Sequence, residues 1–265
     1  MSTADGYPLR VADRARTLAE LDTLLVECRA CPRLVAWRER TAHEKRAAFL
    51  DHEYWGRPVP GFGPTDAPLL ITGLAPAAHG ANRTGRMFTG DRSGDLLFAT
   101  LYELGLASRA TVTGPDDGLE LFGVRVTAPV HCAPPDNRPT PGERDTCRPW
   151  LAREARLLRP TLRTVVALGA FGWQAALTAL GEAGWEVPRP RPAFGHGVRA
   201  TLTPVDGTGS LTPDGTGGPL TVFGCYHVSQ RNVFTGRLTR DMLRGVLAEA
   251  AHAAGLPVED PPRQG

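Results

Sequence analysis

The sequence predicts an α/β fold in which helices cover both faces of a parallel sheet. Four short apolar segments alternate along the chain with longer segments of helical periodicity, and this alternation is typical of βαβ units. Loops rich in glycine, asparagine, arginine and histidine follow the first, second and fourth apolar segments. Because ligands bind such folds at the carboxyl ends of the strands, we expect the functional site there.

The four predicted strands are short and apolar. They cover residues 68–73, 122–130, 163–169 and 220–226. The first, Pro68-Leu-Leu-Ile-Thr-Gly73, is a continuous apolar run of the kind found in strands that are buried on both faces. The last contains Cys225, which we interpret as a small core residue.

The predicted helices follow from apolar residues at helical spacing and from capping residues. They cover residues 14–27, 93–105, 141–159, 170–181 and 236–254. Ser93 is predicted to be the N-cap of the second helix, and Gly105 is predicted to end it.

Composition and charge are those of an ordinary globular protein. The 265 residues are 42% hydrophobic and 22% charged, which argues against disorder and leaves enough chain for a sizeable core. No apolar run approaches the roughly 20 residues needed to span a bilayer, and the first thirty residues lack the apolar block of a signal peptide. We therefore expect a soluble, cytoplasmic protein with no membrane partner. The net charge of +2 neither requires nor forbids a polyanionic partner.

We predict one domain over residues 1–255 with two peripheral segments. Residues 201–219 are rich in glycine, threonine and proline and are predicted to be a mobile insertion. Residues 256–265 are polar and contain proline, and we expect a flexible C-terminal tail there.

Four of the five cysteines form a candidate metal site. Cys28 and Cys31 are a C-x2-C pair, and Cys132 and Cys147 form a second, wider pair. An odd number of cysteines in a chain of cytosolic character argues against a disulfide framework. Four thiolates suit either structural zinc or an iron–sulfur cluster. Spacing alone leaves this choice open, together with the less favoured alternatives of a redox motif or a chance pair.

The loop from Gly73 to Gly94 follows the first strand and contains five glycines. Glycines allow a backbone or planar ligand to approach closely, and the N-terminus of the next helix can hold a phosphate. Phe88 is either a stacking surface for a base or a packing residue. Asp91 either caps the next helix or activates a water molecule, and both interpretations stay open.

The loops after the second and fourth strands carry further candidate residues. Asn137 lies in a proline-stiffened loop, where its amide offers a donor and an acceptor to a base edge, although an Asx turn would also explain it. His227 ends the fourth strand, where it could stabilise a developing anion or donate a proton. A lone histidine is more often structural. Several side chains suited to phosphate follow it: Ser229, Gln230, Arg231, Asn232, Thr235 and Arg237.

Three of these segments together closely resemble the iron–sulfur uracil-DNA glycosylases of family 5, also called type B. The segments are GLAPAAHGANRTGRMFTGD at 73–91, HVSQRNVFTGRLT at 227–239, and the four cysteines with CAPPDNRPTP at 132–141. The resemblance spans roughly residues 28–245. It implies a three-layer αβα sandwich around a four-stranded parallel sheet. It also implies one [4Fe–4S] cluster, with ligands at Cys28, Cys31, Cys132 and Cys147.

The same resemblance implies the reaction and the roles of individual residues. Family members hydrolyse the N-glycosidic bond of uracil and other damaged bases in DNA, such as hypoxanthine and ethenocytosine, and leave an abasic site. Asp91 would position the water or stabilise the oxocarbenium-like sugar, Asn137 would contact the base, and His227 would stabilise the leaving oxyanion. We expect damaged DNA as the partner and a monomeric enzyme. The residues expected to contact substrate or DNA are Gly73, Ala75, His79, Gly80, Asn82, Arg83, Arg86, Phe88, Ser229, Gln230, Arg231, Asn232 and Arg237.

Two departures from the wider superfamily bear on this interpretation. Leu74 and Ala75 are apolar where many related glycosylases carry an acidic or amide residue, which leaves the water-activating group open. Val228 replaces the proline that usually follows the histidine. Two other functions remain as alternatives: a nucleotide hydrolase or transferase, and a non-catalytic protein that binds damaged DNA and has a structural metal site.

Overall fold

The computed structural model describes residues 6–205 and 218–259, and its strands form one mixed sheet. The strands are β1 Leu69–Thr72, β2 Val124–Thr127, β3 Thr164–Leu168, β4 Trp185–Glu186, β5 Arg199–Pro204 and β6 Leu220–Cys225. Their order in the sheet is β2-β1-β3-β6-β5-β4. The strands β2, β1, β3 and β6 pair in parallel, so the four predicted parallel strands are confirmed.

The strands β5 and β4 extend this sheet in antiparallel pairing and were not predicted. The start of the predicted insertion is corrected, because residues 201–204 belong to β5. Ala200 and Leu202 are buried while their neighbours are exposed, and a surrounding sequence rich in threonine and proline hides this short alternation. Residues 206–217, the middle of the predicted insertion, lie outside the described residues.

Helices cover both faces of the sheet. They are α1 Tyr7–Val11, α2 Leu18–Val26, α3 Pro32–Glu44, α4 Ala81–Thr84, α5 Arg92–Glu103, α6 Pro141–Leu158, α7 Gly169–Glu182, α8 Gln230–Phe234 and α9 Arg240–Ala253, with 3₁₀ turns at Ala12–Arg14, Ala47–Phe49 and Pro135–Asn137. All five predicted helices are present with somewhat different ends, and α1, α3, α4 and α8 are additional. Within residues 6–205 and 218–259, no helix is long and apolar enough to cross a membrane.

Buried side chains form one layer on each face of the sheet. In β1, Leu70 belongs to one cluster, and Leu69 and Ile71 belong to the other, because alternate residues of a strand face opposite sides. Trp150 of α6 and Trp173 of α7 fill the first layer. The second layer is packed by α5 and α9. The predicted three-layer αβα sandwich is therefore confirmed.

The capping residues of α5 differ in part from the prediction. Asp91, rather than Ser93, is the N-cap, because Asp91 Oδ1 accepts hydrogen bonds from the backbone N–H groups of Ser93 at 2.8 Å and Gly94 at 3.2 Å. Gly105 follows the helix with a φ of +72°, as predicted for the residue that ends it.

The first residues after α9 pack against the domain. Leu256 lies against the cluster that α5 and α9 share, and the Glu259 N–H donates to the Leu104 carbonyl at 3.2 Å. The predicted tail therefore makes ordered contacts up to Glu259, and residues 260–265 lie outside the described residues. That residues 1–255 form a single domain stays a prediction.

A buried ionic network joins α2, β2 and α6. Arg125 Nε donates to Glu154 Oε1 at 2.5 Å, and Arg125 Nη2 lies 3.5 Å from Asp22 Oδ2. Thr127 Oγ1 donates to the second Glu154 oxygen at 2.7 Å. Burial raises the pKa of Asp22 to about 7, although the positive charge of Arg125 opposes this effect.

We expect Asp22 to make the protein less stable as the pH rises. Because its pKa is higher in the folded chain, its stabilising contribution is complete below the unfolded-state pKa of about 3.9 and is lost as the pH rises through about 7. Asp22→Asn should therefore raise the free energy of unfolding, relative to the wild type, by more at about pH 8 than at about pH 5. Urea unfolding at the two pH values measures this difference. The exposed Asp13→Asn variant is the control, and an equal effect of Asp22→Asn at both pH values would contradict the expectation.

Candidate active site and cysteine cluster

A cavity of about 570 Å³ opens at the carboxyl edge of the parallel strands. The loops after β1, β2 and β6 form its wall, because parallel strands bring their carboxyl ends to one edge of a sheet. Its volume suits a small organic ligand. The three predicted catalytic residues all line it, together with five of the predicted contacts: Asp91, Asn137 and His227, with Ala75, Phe88, Ser229, Gln230 and Arg231.

Asp91 is both a helix cap and part of the cavity wall. Its Oδ1 is fixed by the two backbone N–H groups at the start of α5. A Cβ at Gly80 would lie 2.5 Å from Asp91 Oδ2, so glycine is needed there to leave room for the carboxylate. Among the described residues Oδ2 has no hydrogen-bond donor, and it is available to a water molecule or ligand. The two interpretations that the sequence left open are thus compatible.

His227 also lines the cavity, and its surroundings favour the neutral imidazole. Burial lowers the pKa of His227, and the negative charge of Asp91 only partly opposes this. A Cβ at Gly169, whose φ is +87°, would lie 3.2 Å from His227 Cβ, so the histidine packs closely against the start of α7. Asn232 Nδ2 donates to the His227 carbonyl at 2.9 Å. A neutral imidazole fixed in this way can donate one N–H to an acceptor in the cavity.

Asn137 projects from a turn with an unusual backbone. Asp136 and Asn137 both have a φ of +53°, a conformation that asparagine and aspartate adopt more readily than other side chains. Within the described part of the chain the Asn137 side chain has no hydrogen-bond partner, so the Asx turn considered from the sequence is not formed. Its amide is therefore free to contact a ligand.

Phe88 supplies an aromatic surface to the cavity. Its φ of +55° is uncommon for a bulky residue. The ring packs on Gly73, where a Cβ would lie 2.6 Å from the ring. Gly73 is therefore a support behind Phe88 rather than a direct contact in the cavity.

Three predicted DNA contacts in the same loop are corrected, because the structure buries them. Asn82 Nδ2 donates to a backbone oxygen of α3 at 3.3 Å, and Arg83 Nε donates to the His79 carbonyl at 2.9 Å. Arg86 makes two hydrogen bonds to the Asp117 carboxylate, at 2.8 and 2.6 Å. The exposed fractions of these three residues are 0%, 7% and 4%. Their polar groups bond to α3, to Asp117 and to the loop's own backbone instead of facing solvent.

His79 and Arg237 are not among the described residues that line the cavity. His79 Nδ1 is 3.0 Å from the Tyr54 hydroxyl, and the Arg237 guanidinium stacks over the Tyr226 ring at 4.8 Å. A contact of either residue with DNA outside the cavity stays a prediction.

We expect Arg86→Gln to lower stability without changing the salt dependence of DNA binding. Removing one partner of a buried ion pair costs about 3–5 kcal/mol, and Arg86 is the main reason that the pKa of Asp117 lies well below its usual range. Urea unfolding and DNA affinity at several salt concentrations measure the two effects. The exposed Arg231→Gln variant should show the reverse pattern. An unchanged unfolding midpoint for Arg86→Gln would contradict the structural role.

The four cysteines of the candidate metal site are neighbours in the fold. Cys28 follows α2, Cys31 precedes α3, Cys132 lies beyond β2 and Cys147 is in α6. Three of them are buried and Cys31 is half-buried. Burial raises the pKa of Cys31 to about 12 and that of Cys132 to about 11, and the other thiols lie close enough to add to this effect. Cys225 is in the core layer beside α9 and not in this group.

The surroundings of these thiols fit an anionic cluster. Arg38 is 1% exposed and donates from Nη1 to Cys132 Sγ at 2.9 Å, and the His131 N–H points to Cys147 Sγ at 3.4 Å. A buried guanidinium requires negative partners. Glu39 lies 4.0 Å from Arg38, and thiolates bound to iron would place further negative charge beside it. Within the described ranges, no group of three or more His, Cys, Asp or Glu side chains is arranged to hold a single metal ion. A four-iron cluster has different geometry, because each thiolate binds a different iron.

The fold and the cavity define an α/β protein with a site of small-molecule size, lined by Asp91, Asn137 and His227, at the carboxyl ends of its parallel strands. Residues 60–251 match the model of the uracil DNA glycosylase superfamily, and the chain belongs to this superfamily. It is 52% identical over 246 residues to the Type-5 uracil-DNA glycosylase of Mycobacterium tuberculosis, across 93% of this chain and 85% of the relative. The Type-5 uracil-DNA glycosylase of Mycobacterium leprae is 50% identical over 242 residues, with coverages of 91% and 98%. That of Thermus thermophilus is 46% identical over 232 residues, with coverages of 88% and 96%. The resemblance to family 5 is thereby confirmed.

Sequence reasoning noted that Leu74 is apolar, but it missed the other apolar residues of this region. The cavity has an apolar wall formed by Leu74, Pro76, Ala77, Ala81, Met87 and Ala128. Phe234, at the end of α8, is 93% exposed beside the loop that carries His227. The adjacent pair Val233 and Phe234 in an otherwise polar stretch was the available signal for an exposed apolar patch.

Proposed function

We propose that the protein hydrolyses the N-glycosidic bond of uracil in DNA and leaves an abasic site. The observation that carries the proposal is the single cavity shared by Asp91, Asn137 and His227 in a chain of the uracil DNA glycosylase superfamily. Its closely similar relatives bear the name of that activity.

Base flipping explains the shape of the site. A base inside a duplex is out of reach, so the target nucleotide must turn out of the helix into the cavity. The ring of Phe88 offers a stacking surface to the flipped base. Asn137 lines the same cavity, and its free amide can pair with a donor and an acceptor on the base edge.

The chemical step needs stabilisation of the leaving base and a positioned water. As the bond between C1′ and the base nitrogen breaks, its electron pair leaves with the base and the sugar becomes oxocarbenium-like. The neutral His227 donates an N–H to the developing negative charge on the base oxygen. Asp91 Oδ2 stabilises the positive sugar and accepts a proton from the water whose oxygen bonds to C1′.

The proposal extends to other altered bases, including hypoxanthine and ethenocytosine. Leu74, Ala75 and Pro76 form an apolar part of the wall. A wall without fixed donors rejects a differently substituted base less strongly than one built for hydrogen bonding. Uracil is nevertheless the substrate on which the proposal rests.

Single-turnover assays test the function directly. We expect release of uracil from single- and double-stranded oligonucleotides, followed by strand cleavage at the abasic site on treatment with alkali. Hypoxanthine, xanthine and ethenocytosine substrates measure the breadth of the activity. Lesion binding without base release would favour the non-catalytic alternative, and turnover of free nucleotides would favour the nucleotide hydrolase.

We further propose that Cys28, Cys31, Cys132 and Cys147 hold a [4Fe–4S] cluster. When bound, the cluster supplies a covalent link between segments that are distant in the sequence, and hydrolysis itself transfers no electrons. Arg38 supports this assignment, since its buried charge is directed at Cys132 Sγ. A cytoplasmic, monomeric enzyme stays a prediction from the sequence.

A further inference from the structure

A second groove lies beside the base cavity and takes no part in the proposed reaction. It has a volume of about 390 Å³. Gln230 and Arg231 line both the groove and the cavity, so the wall between the two is the start of α8. A ligand in the groove would therefore lie next to a base in the cavity.

The groove combines apolar surface with positive charge. Leu96, Val228, Val233 and Phe234 line it, and the last two are 42% and 93% exposed. Large apolar side chains that face water lose the free energy that burial would provide. A stacking partner on Phe234 would recover it.

The charged residues of the groove indicate which partner this is. Arg92 and Arg231 line it and are exposed, and none of the described residues that line it is acidic. A nucleotide has a planar base for the aromatic ring and a phosphate for the guanidinium groups. An anionic, planar ligand fits this combination better than an acidic or aliphatic peptide would, because the peptide lacks one of the two features.

We propose that this groove binds the nucleobase adjacent to the target base on the same DNA strand, stacked on Phe234. The proposal rests on the proposed function, since it takes the DNA strand in the cavity as its reference. The adjacent nucleotide is covalently joined to the flipped one, and the groove continues from the cavity across shared residues. The opposite base has no such connection. The site would make excision depend on the neighbouring base, with purines favoured for their larger stacking surface.

Binding to single-stranded DNA separates this subsite from a residue that only fills the gap in a duplex. The probe is an oligonucleotide containing 2′-fluorodeoxyuridine, whose fluorine slows bond cleavage, with adenine or an abasic analogue on either side of it. We expect the wild type to bind about tenfold more weakly when the adjacent base on one side is removed. With adenine at that position, Phe234→Ala should bind the probe about tenfold more weakly than the wild type. When that position is already abasic, the two proteins should bind with nearly equal affinity.

Phe122→Ala is the matched control, because Phe122 is also exposed but precedes β2 at the other edge of the sheet. It should leave both affinities unchanged. Thermal unfolding checks that Phe234→Ala is folded. The comparison of adenine with the abasic analogue uses only the wild type, so it tests the proposal even if the variant does not fold.

Three results would overturn the proposal. One is wild-type affinity that is indifferent to both neighbouring bases. Another is a Phe234→Ala defect confined to duplex DNA, which would indicate a wedge against the opposite strand. The third is a wild-type dimer that Phe234→Ala dissociates, which would indicate a second copy in the groove. Uracil release by the wild type would still support the proposed function in each case, whereas absence of release would count against that function separately.

Discussion

Asp91→Asn is expected to lower the rate of base release by about 10²- to 10⁴-fold while the fold stays intact. Asparagine caps helices as well as aspartate does, so its side-chain oxygen can still accept the two backbone hydrogen bonds at the start of α5. The substitution removes the negative charge of the carboxylate, which lies beside Gly80 and lines the cavity. Single-turnover release of uracil measures the loss, and thermal unfolding measures the stability.

Two further variants separate catalysis from capping. Asp91→Ala should lose both the rate and about 1 kcal/mol of stability, because alanine cannot cap the helix. Ser93→Ala changes another cavity residue and should stay near the wild-type rate. Full activity of Asp91→Asn would remove the carboxylate from the mechanism and leave it a purely structural cap.

If the four cysteines hold the proposed [4Fe–4S] cluster, Cys132→Ser is expected to abolish the brown colour and iron binding and to lower the folded yield. A serine hydroxyl is a poor substitute for a thiolate that binds iron, and Arg38 would lose the sulfur that accepts its hydrogen bond at 2.9 Å. The buried guanidinium would keep only the Cys28 carbonyl at 3.1 Å and the more distant Glu39 carboxylate at 4.0 Å, and the weakened pairing of a buried charge is costly in itself. Iron content and the visible spectrum of the purified protein measure the effect independently of activity.

The control for this experiment is Cys225→Ala. Cys225 is fully buried in β6 and belongs to the core layer beside α9, so this variant should keep all its iron. A Cys132→Ser protein with unchanged iron and colour would refute the ligand assignment. Zinc in place of iron in the wild type would keep the four ligands but exclude the cluster.

Residue patterns alone predicted the parallel core and the order of the loops. Continuous apolar runs such as Leu69–Thr72 are visible in the sequence because parallel strands are buried on both faces. The shared cavity follows from the same property, since parallel strands deliver Asp91, Asn137 and His227 to one edge. The strand β5 escaped prediction because only two of its side chains are buried, and its pairing partner β6 lies beyond residues 206–217.

By itself, the sequence determined the αβα architecture, the superfamily and the residues available for catalysis, because these depend on local apolar patterns and on motifs that are contiguous in the chain. Only the tertiary structure decided which polar side chains face the cavity. Arg86 and Arg231 look equally suited to phosphate in the sequence, yet Arg86 meets Asp117 at 2.6 Å in the interior while Arg231 stays in solvent. A guanidinium binds the nearest carboxylate that packing provides, and a partner 31 residues away is set by the fold rather than by local sequence.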